Sequence, residues 1–300
     1  MRARTLTGRV SYAAMVDASG HATALDIIAA THVDFVPAAF EALDKWSFGV
    51  APPGIPPNQP IRGIVDFEPV TTDRQAILRA NDITGSDGQP PAHPPEPIVV
   101  VDPVFPYDRL LAGESGEAIA EFVVLATGRV GEIQVRTATK PEFGEALRAA
   151  LASWFFKPAL NNGQPVNAQL AKRFNFKGVP KAAKEGGKDV LTEVVVEERL
   201  KTIGQAKGLD EKLMPLYRVS PDYPPSLLLT TKESGDATVS MVICRDGRIR
   251  LARVLSASAP DFGWAAITAV NQWVFKPPLR GGVPVDVVVQ LPVKFASPKH

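Results

Sequence analysis

The sequence has little of what disulfide-linked, metal-binding or nucleic-acid-binding proteins need. Its one cysteine, Cys244, rules out an intrachain disulfide and a metal site built from several thiolates. Its 33 basic residues are balanced by 32 acidic ones, which leaves a formal net charge of +1. Because phosphate backbones are held by strong positive fields, we expect no nucleic-acid partner.

Long apolar runs are also missing. No stretch approaches the roughly 20 apolar residues that a membrane-spanning helix needs, so we expect no direct membrane span in this chain. The first residues, Met-Arg-Ala-Arg-Thr-Leu-Thr-Gly, carry positive charge without an apolar stretch behind it, which is not typical of a signal peptide. Two interpretations stay open: a cytoplasmic protein, or a periplasmic protein whose signal or anchor is absent from this chain.

Residues suited to catalysis or metal binding do not cluster in the sequence. The four histidines, His21, His32, His93 and His300, have no helical metal-ligand spacing. No Gly-x-Ser-x-Gly elbow, glycine-rich phosphate loop or His-Glu-x-x-His motif occurs. Cys244 lies in an alternating strand pattern, which favours a small buried thiol over a nucleophile. We therefore predict no catalytic residue, no metal, no cofactor and no enzymatic activity.

The sequence does contain one pattern of spaced residues that occurs three times. Trp46, Trp154 and Trp273 are each preceded by a phenylalanine eleven positions earlier and by a glycine 26 positions earlier, and a further glycine lies twelve positions before that. In chain order the sets are Gly8, Gly20, Phe35; Gly116, Gly128, Phe143; and Gly235, Gly247, Phe262. Spacing repeated without gaps indicates a repeated structural unit.

The periodicity changes in the same order within each copy. Apolar residues alternate after the first glycine, which predicts a strand with one buried face. The second glycine predicts a tight hairpin into another strand. Counted from the phenylalanine, positions 0, 3, 4, 7, 8 and 11 are apolar in all three copies, which predicts a helix with the tryptophan buried at its end. Pro158 and Pro277 are expected to end the second and third helices, and a last strand ends at Phe176 and Phe295.

These patterns predict an α+β fold of three repeated modules, each a three-stranded antiparallel sheet with one helix packed on a face, in the order β-β-α-β. The expected organisation is a degenerate module at 1–80, a proline- and glycine-rich linker at 81–97, a module at 98–179, a connecting segment at 180–209 and a module at 210–300. A short helix is expected from Leu209 to Leu216, before the last module's first strand.

The copies resemble the C-terminal domain of TonB-family energy transducers. The third copy matches the family's pattern throughout, with Pro221-Asp222-Tyr223-Pro224, Gly235, Asp246-Gly247, Trp273-Val274-Phe275-Lys276-Pro277, Gly282-Val283-Pro284-Val285 and Phe295. The second copy has Phe105 where the family has tyrosine before proline. The first copy lacks both this approach segment and the lysine–proline stop, so it is a degenerate member.

The resemblance implies a periplasmic domain that binds an extended peptide, the TonB box of outer-membrane receptors, beside an edge strand. We predict a peptide-binding site at the last strand of the third copy, formed by Tyr223, Pro224, Val285, Val287, Val289 and Leu291. The same valines also suit a core position. The sequence shows neither the membrane helix nor the periplasm-spanning proline-rich segment of a full transducer, which puts energy transduction in doubt.

Three functions follow as hypotheses. The leading one is a non-enzymatic periplasmic scaffold that binds a protein or peptide, such as an outer-membrane receptor or another envelope protein, by edge-strand addition. The second is the soluble portion of a TonB-type energy transducer acting on outer-membrane receptors. The third is a purely architectural multi-module protein, for which resistance to proteolysis at residues 85–95 would indicate one packed body.

Overall fold

A computed structural model of the chain describes residues 8–17, 20–46, 48, 60–67, 84–85, 91–178, 203–228 and 234–296. Within these residues the fold is mixed α+β with mostly antiparallel sheets. About half of the expected linker at 81–97 and most of the connecting segment at 180–209 lie outside the described residues. Residues 8–67 are called the first unit, residues 84–178 the second unit and residues 203–296 the third unit.

Each unit contains a hairpin, a helix and a closing strand. The first unit has β1 Gly8–Val16, β2 Ala22–Ala30, α1 Phe35–Asp44 and β3 Ile61–Phe67. The second unit has β4 Thr84–Gly85, β5 Glu96–Val99, α2 Tyr107–Leu111, β6 Gly116–Val124, β7 Val130–Ala138, α3 Pro141–Ala152, β8 Phe155–Lys157, β9 Ala159–Asn161, β10 Gln164–Val166 and β11 Ala168–Phe176. The third unit has β12 Gly204–Gln205, β13 Pro215–Tyr217, α4 Pro225–Leu228, β14 Ser234–Ile243, β15 Ile249–Ala257, α5 Pro260–Val270, β16 Val274–Phe275, β17 Leu279–Arg280, β18 Val283–Pro284 and β19 Val287–Ala296.

The first strand of each hairpin lies in the middle of its sheet, between its hairpin partner and the closing strand. The strand orders are β2-β1-β3, β4-β11-β6-β7 and β12-β19-β14-β15. The prediction of three strands per sheet is therefore wrong for the second and third units, whose sheets have four. The additional strands, β4 and β12, are two residues long and pair with the outer side of the closing strands β11 and β19.

A glycine at the start of each hairpin lets the helix lie close to the sheet. The ring of the repeated phenylalanine packs directly on this glycine, and a Cβ atom there would lie between 2.0 and 2.4 Å from the ring. The pairs are Gly8–Phe35, Gly116–Phe143 and Gly235–Phe262. Since real Cβ atoms do not approach carbon this closely, any larger residue would force the ring away from the sheet.

The hairpin glycines serve a different purpose. Gly20, Gly128 and Gly247 have φ of 85°, 82° and 76°, in the left-handed region that favours glycine. Their carbonyl oxygens accept hydrogen bonds of 2.8 to 2.9 Å from the backbone N–H of a phenylalanine two residues after the tryptophan. These donors are Phe48, Phe156 and Phe275. The bond draws the chain after the helix onto the hairpin turn.

The helices end earlier than predicted, two or three residues before each tryptophan, and β8 and β16 occupy the positions before the prolines. In the second and third units an approach segment, residues 96–106 and 215–224, runs antiparallel to these strands. The indole N–H of Trp154 donates to the carbonyl of Val101 and that of Trp273 to Val219, both at 2.8 Å.

The prediction of a buried tryptophan is confirmed for the second unit, holds in part for the third, where Trp273 is partly buried, and is wrong for the first. Trp46 is 46% exposed, whereas Trp154 is 4% exposed. Among the described residues, no strand pairs with the residues directly after α1, whereas in the other units an approach segment supplies both the covering surface and the carbonyl acceptor. Trp46 does share one contact with the other units: it packs against Phe48 at a ring separation of 6.1 Å, as Trp154 packs against Phe156 and Trp273 against Phe275.

The approach segments also join the units to one another. Val104, from the approach segment of the second unit, is buried in the core of the third unit. Tyr217, from the approach segment of the third unit, is buried in the core of the first unit together with Val274. Trp264 of α5 packs against the cores of both the second and third units. The third unit thus lies between the other two.

Replacing Gly235 with alanine tests the glycine–phenylalanine contact. Phe262 is fully buried, so its ring has no free space to move into, and we expect a loss of about 1–3 kcal/mol in unfolding free energy. Gly131→Ala is the matched control, because a Cβ there would meet Leu125 at an ordinary 3.5 Å. We expect a change below about 1 kcal/mol for this control. Equal losses in urea unfolding of the two variants would contradict the role of the contact.

Replacing Tyr217 with alanine tests the shared core. Removing a buried aromatic ring should cost about 3–5 kcal/mol, and the loss should fall on the first unit, although Tyr217 belongs to the third. Tyr217→Phe keeps the ring and loses the hydroxyl's hydrogen bond to the backbone of Ala30, so it should cost only about 1 kcal/mol. Amide exchange is the measurement: β1 should exchange faster in Tyr217→Ala while α3 stays protected. Uniform acceleration across all units would argue against a specific contact.

Candidate functional site

The outer edges of the closing strands are the candidate sites, and the hydrogen-bond pattern shows which residues face outward. In β14 the carbonyl of Asp236 accepts from Ser258, so the even-numbered residues of β14 face β15. Its odd-numbered residues therefore face β19, where they are opposite odd-numbered residues such as Phe295. The backbone groups of the even-numbered residues of β19 consequently point outward.

The structure places the predicted site residues in one region, but it turns their side chains toward the core. Val287 is fully buried, and Val285, Val289 and Leu291 are packed against the same core of the third unit. Tyr223 packs edge-to-face on Phe262, 5.4 Å between ring centroids, and Pro224 is buried. These side chains pack on the core side of the sheet. A guest strand would instead pair with the backbone of the even-numbered residues of β19. Peptide binding at this position stays a prediction.

The outward edge of β19 is partly closed. Val288 is covered by β12, which runs parallel to β19 and pairs Gly204 with Val287 and Gln205 with Val288. Pro292 also faces outward by its even number, and proline has no N–H to donate. Two of the outward positions of this strand, Val288 and Pro292, are thus unsuited to a guest.

A strap, residues 203–213, holds β12 against the third unit. Ile203 packs against Val242, Cys244 and Val288 on the sheet face opposite the helix. Arg280 donates hydrogen bonds of 3.1 Å to the carbonyls of Gln205 and Lys207. The predicted helix from Leu209 to Leu216 is wrong: this stretch consists of bends followed by β13, because its backbone and side chains bind the β17–β18 turn instead.

Asp210 fixes the far end of the strap. Its two carboxylate oxygens accept hydrogen bonds of 2.8 Å from the backbone N–H groups of Gly281 and Gly282. These bonds hold the pKa of the Asp210 carboxyl below its ordinary value. Both glycines have positive φ, which turns their N–H groups toward the same carboxylate.

The equivalent edge of the second unit differs. The carbonyl of Glu117 accepts from Thr139, so by the same reasoning the outward residues of β11 are the odd-numbered ones. β4 pairs with Ala168 and Gln169, and Ala171, Arg173 and Asn175 continue beyond it. Within the part of the chain that the structure describes, no strand pairs with these three residues.

A cavity of about 370 Å³ adjoins the end of β11, between the second and third units. Its apolar lining comes from both units and includes Val104, Phe105, Leu110, Phe174, Phe176, Ile249 and Leu251. Its polar lining includes Asp102, Tyr107, Asn175, Lys177, Arg250 and Asn271. Asn175 therefore belongs both to the outward edge of β11 and to this cavity.

The β11 edge was not predicted from the sequence, because the hydrophobic patterns of the two closing strands are similar. The useful signal was the position of proline. β11 reads Ala-Gln-Leu-Ala-Lys-Arg-Phe-Asn-Phe without proline, whereas β19 contains Pro292. A proline removes a donor from the outer edge only if its backbone faces outward. That orientation can be read only from the register of the sheet.

Cys244 has the character of a core residue. It is 1% exposed, and burial raises the pKa of its thiol to about 11 despite a hydrogen bond with Arg250. A thiol with this pKa stays protonated at neutral pH and is a poor nucleophile. Among the described residues, no group of three His, Cys, Asp or Glu side chains is arranged to hold a metal ion, and no helix there has the length and apolar character to cross a membrane.

Known proteins match the second and third units. The family model described as Gram-negative bacterial TonB protein C-terminal matches residues 101–177 and 219–296, together just over half of the chain. Protein TonB of Pseudomonas aeruginosa is 31% identical over 83 residues, which are 27% of this chain and 24% of that protein. The match thus spans about a quarter of the relative's length. The solution NMR structure of the Pseudomonas aeruginosa TonB CTD, 31% identical, covers 28% of this chain and 85% of its own, with a TM-score of 0.26.

The titration of Asp210 tests how the strap is held. Its folded-state pKa lies below the ordinary 3.8, so the stabilisation is present above pH 3.8 and is lost as the pH falls through the lower folded value. We expect the NMR amide signals of Gly281 and Gly282 to titrate together with a midpoint below 3.8. Asp210→Asn should abolish this titration. A midpoint above 3.8 would contradict the hydrogen-bonded arrangement.

Proposed function

Because this chain belongs to the family of the Gram-negative bacterial TonB C-terminal domain, we propose that it is a non-enzymatic periplasmic protein that binds extended polypeptide by adding a guest strand to a sheet edge. The observation that carries the proposal is the row of outward backbone groups on the closing strands. An edge of this kind offers N–H and C=O groups at the spacing of a partner strand.

The partner that fits this proposal is an outer-membrane receptor or another envelope protein. The matched domains of the family act on such proteins, and the relative that shares 31% identity is itself a TonB protein. The soluble portion of a longer TonB-type energy transducer would use the same edges, so it is a version of the same proposal. The sequence-predicted site, Tyr223, Pro224 and the Val285–Leu291 stretch, is retained within it as the β19 edge.

The first unit enters the proposal as a third, degenerate copy of the module. Three observations support this: the Gly8–Phe35 contact, the φ of Gly20 and the bond from the Phe48 N–H to the Gly20 carbonyl all recur in the other units. Its exposed tryptophan differs from those of the other two units, in which an approach segment covers the indole.

A purely architectural role is the second candidate. The observation that favours it is the sharing of Val104 and Tyr217 between cores, which makes the units one packed body. Shared packing also suits the binding proposal, because a rigid body presents its edges in fixed positions. The two candidates differ in whether any edge takes a guest.

Photocrosslinking distinguishes them. Benzoylphenylalanine replaces Asn175 at the β11 edge or Gln290 at the β19 edge, and each variant is mixed with detergent-solubilised outer-membrane proteins. We expect crosslinks to extended segments of a receptor from at least one edge, because a guest strand lies within about 5 Å of the strand it joins.

The control carries the same label at Glu41, on the exposed side of α1. Crosslinking from Glu41 at the same yield would indicate collision only. Absence of crosslinks from both edge positions would contradict strand addition and leave the architectural role.

A further inference from the structure

The two matched units present different edges, and the difference decides which one receives a guest. We propose that an acidic extended segment binds along β11 of the second unit, with an apolar side chain in the adjoining cavity, while the chain itself closes the equivalent edge of the third unit. This inference rests on the proposed function and specifies its site and partner.

The two closing strands differ first in the backbone hydrogen-bond donors at their outer edges. At β11, Ala171, Arg173 and Asn175 give consecutive outward N–H and C=O groups, none of them from proline. At β19, Val288 is already paired with the strap and Pro292 has no N–H to donate, so Gln290 is isolated between two blocked positions and only Lys294 and Ala296 follow in sequence. Because strand addition gains affinity from several consecutive backbone hydrogen bonds, the β11 edge is the better acceptor.

The strap is held on the β19 edge by several contacts. Ile203 packs in a small apolar cluster, Arg280 binds two of the strap's carbonyls, and Asp210 binds two backbone N–H groups of the facing turn. A guest at β19 would have to break these contacts before it could pair. It would therefore bind more weakly there than along Ala171, Arg173 and Asn175, with which no strand among the described residues pairs.

The two closing strands also differ in the number of basic residues that they carry. Residues 168–178 carry Lys172, Arg173 and Lys177 and no acidic residue, although Lys172 lies over the ring of Trp154 and Arg173 contacts Glu117 at 3.3 Å. β19 contains one charged residue, Lys294. Glutamate or aspartate on a guest strand would lie near these basic groups at β11, whereas lysine would be repelled.

The cavity supplies a position for one side chain of the guest. It is lined by Asn175, the last of the three outward residues of β11, and Phe105, Phe174 and Phe176 form part of its apolar wall. A volume of about 370 Å³ accommodates an aromatic or large aliphatic side chain. The guest that fits is thus an extended acidic segment with an apolar residue at one end.

Matched proline substitutions test the assignment on the full chain. Ala171→Pro removes an outward donor of β11, and Gln290→Pro removes one of β19; neither residue bonds the neighbouring strand, so both should be tolerated as edge prolines. The probe is a fluorescein-labelled synthetic peptide that alternates valine with glutamate and ends in phenylalanine. A second probe has lysine in place of glutamate. Melting temperatures of the variants serve as the folding control.

We expect Ala171→Pro to weaken binding of the acidic probe about tenfold or more, because it loses a hydrogen bond and introduces a clash, while Gln290→Pro changes it less than about twofold. The lysine probe should bind more weakly than the acidic one, and salt should reduce the difference. Amide exchange of the unsubstituted chain should show new protection at Ala171, Arg173 and Asn175 when the acidic probe is added.

Three outcomes overturn the inference. Loss of binding in Gln290→Pro but not in Ala171→Pro would move the guest to β19 and leave the proposed function intact. Protection of Ala171, Arg173 and Asn175 without any probe would show that the chain's own residues 68–83, which precede β4 and lie outside the described residues, occupy the edge. Binding that neither proline affects, or absence of binding, would contradict strand addition itself and the proposed function with it.

Discussion

The contact between a bare glycine backbone and a phenylalanine ring determines how each helix lies on its sheet. The ring can approach the first strand only because no Cβ is present. This contact sets the distance between the helix and the sheet, and so the depth at which the other apolar residues of the helix enter the core. The hairpin glycine adds a second restraint by bonding the chain that leaves the helix. With both ends of the helix fixed to the same hairpin, the closing strand has one place to pair, and its outer edge becomes the free side of the sheet.

The approach segments turn three such units into one body. Each covers the tryptophan of its own unit through a carbonyl that accepts the indole N–H, and then places a side chain in a neighbouring core. Val104 fills the third unit and Tyr217 fills the first, so the third unit is held on two sides. This arrangement sets the positions of the β11 and β19 edges relative to each other, which isolated domains on flexible linkers would not do.

The sequence predicted the parts of this structure that depend on local periodicity and spacing. The strand, hairpin and helix patterns led to the right elements, and the TonB-family resemblance drawn from the third copy is confirmed by the family match to residues 101–177 and 219–296. What could not be predicted depends on contacts between distant residues. The exposure of Trp46 follows from a missing neighbour, and the pairing of Gly204 and Gln205 with β19 is formed by a stretch with no strand pattern. Whether Pro292 faces a partner or solvent is a matter of register, which the periodicity of one strand does not contain.

The burial of Tyr217 in the first unit also affects the order in which the protein folds. The first unit is synthesised first, yet one of its core residues, Tyr217, lies about 170 positions downstream of its helix. Contacts between residues so far apart in sequence form slowly, because a long loop must close before they can be made. The N-terminal unit therefore completes its core only after the C-terminal half of the chain has been made, and until then its apolar surface is available to chaperones. In a protein destined for export, such a delay would keep the leading portion of the chain unfolded while it crosses the membrane.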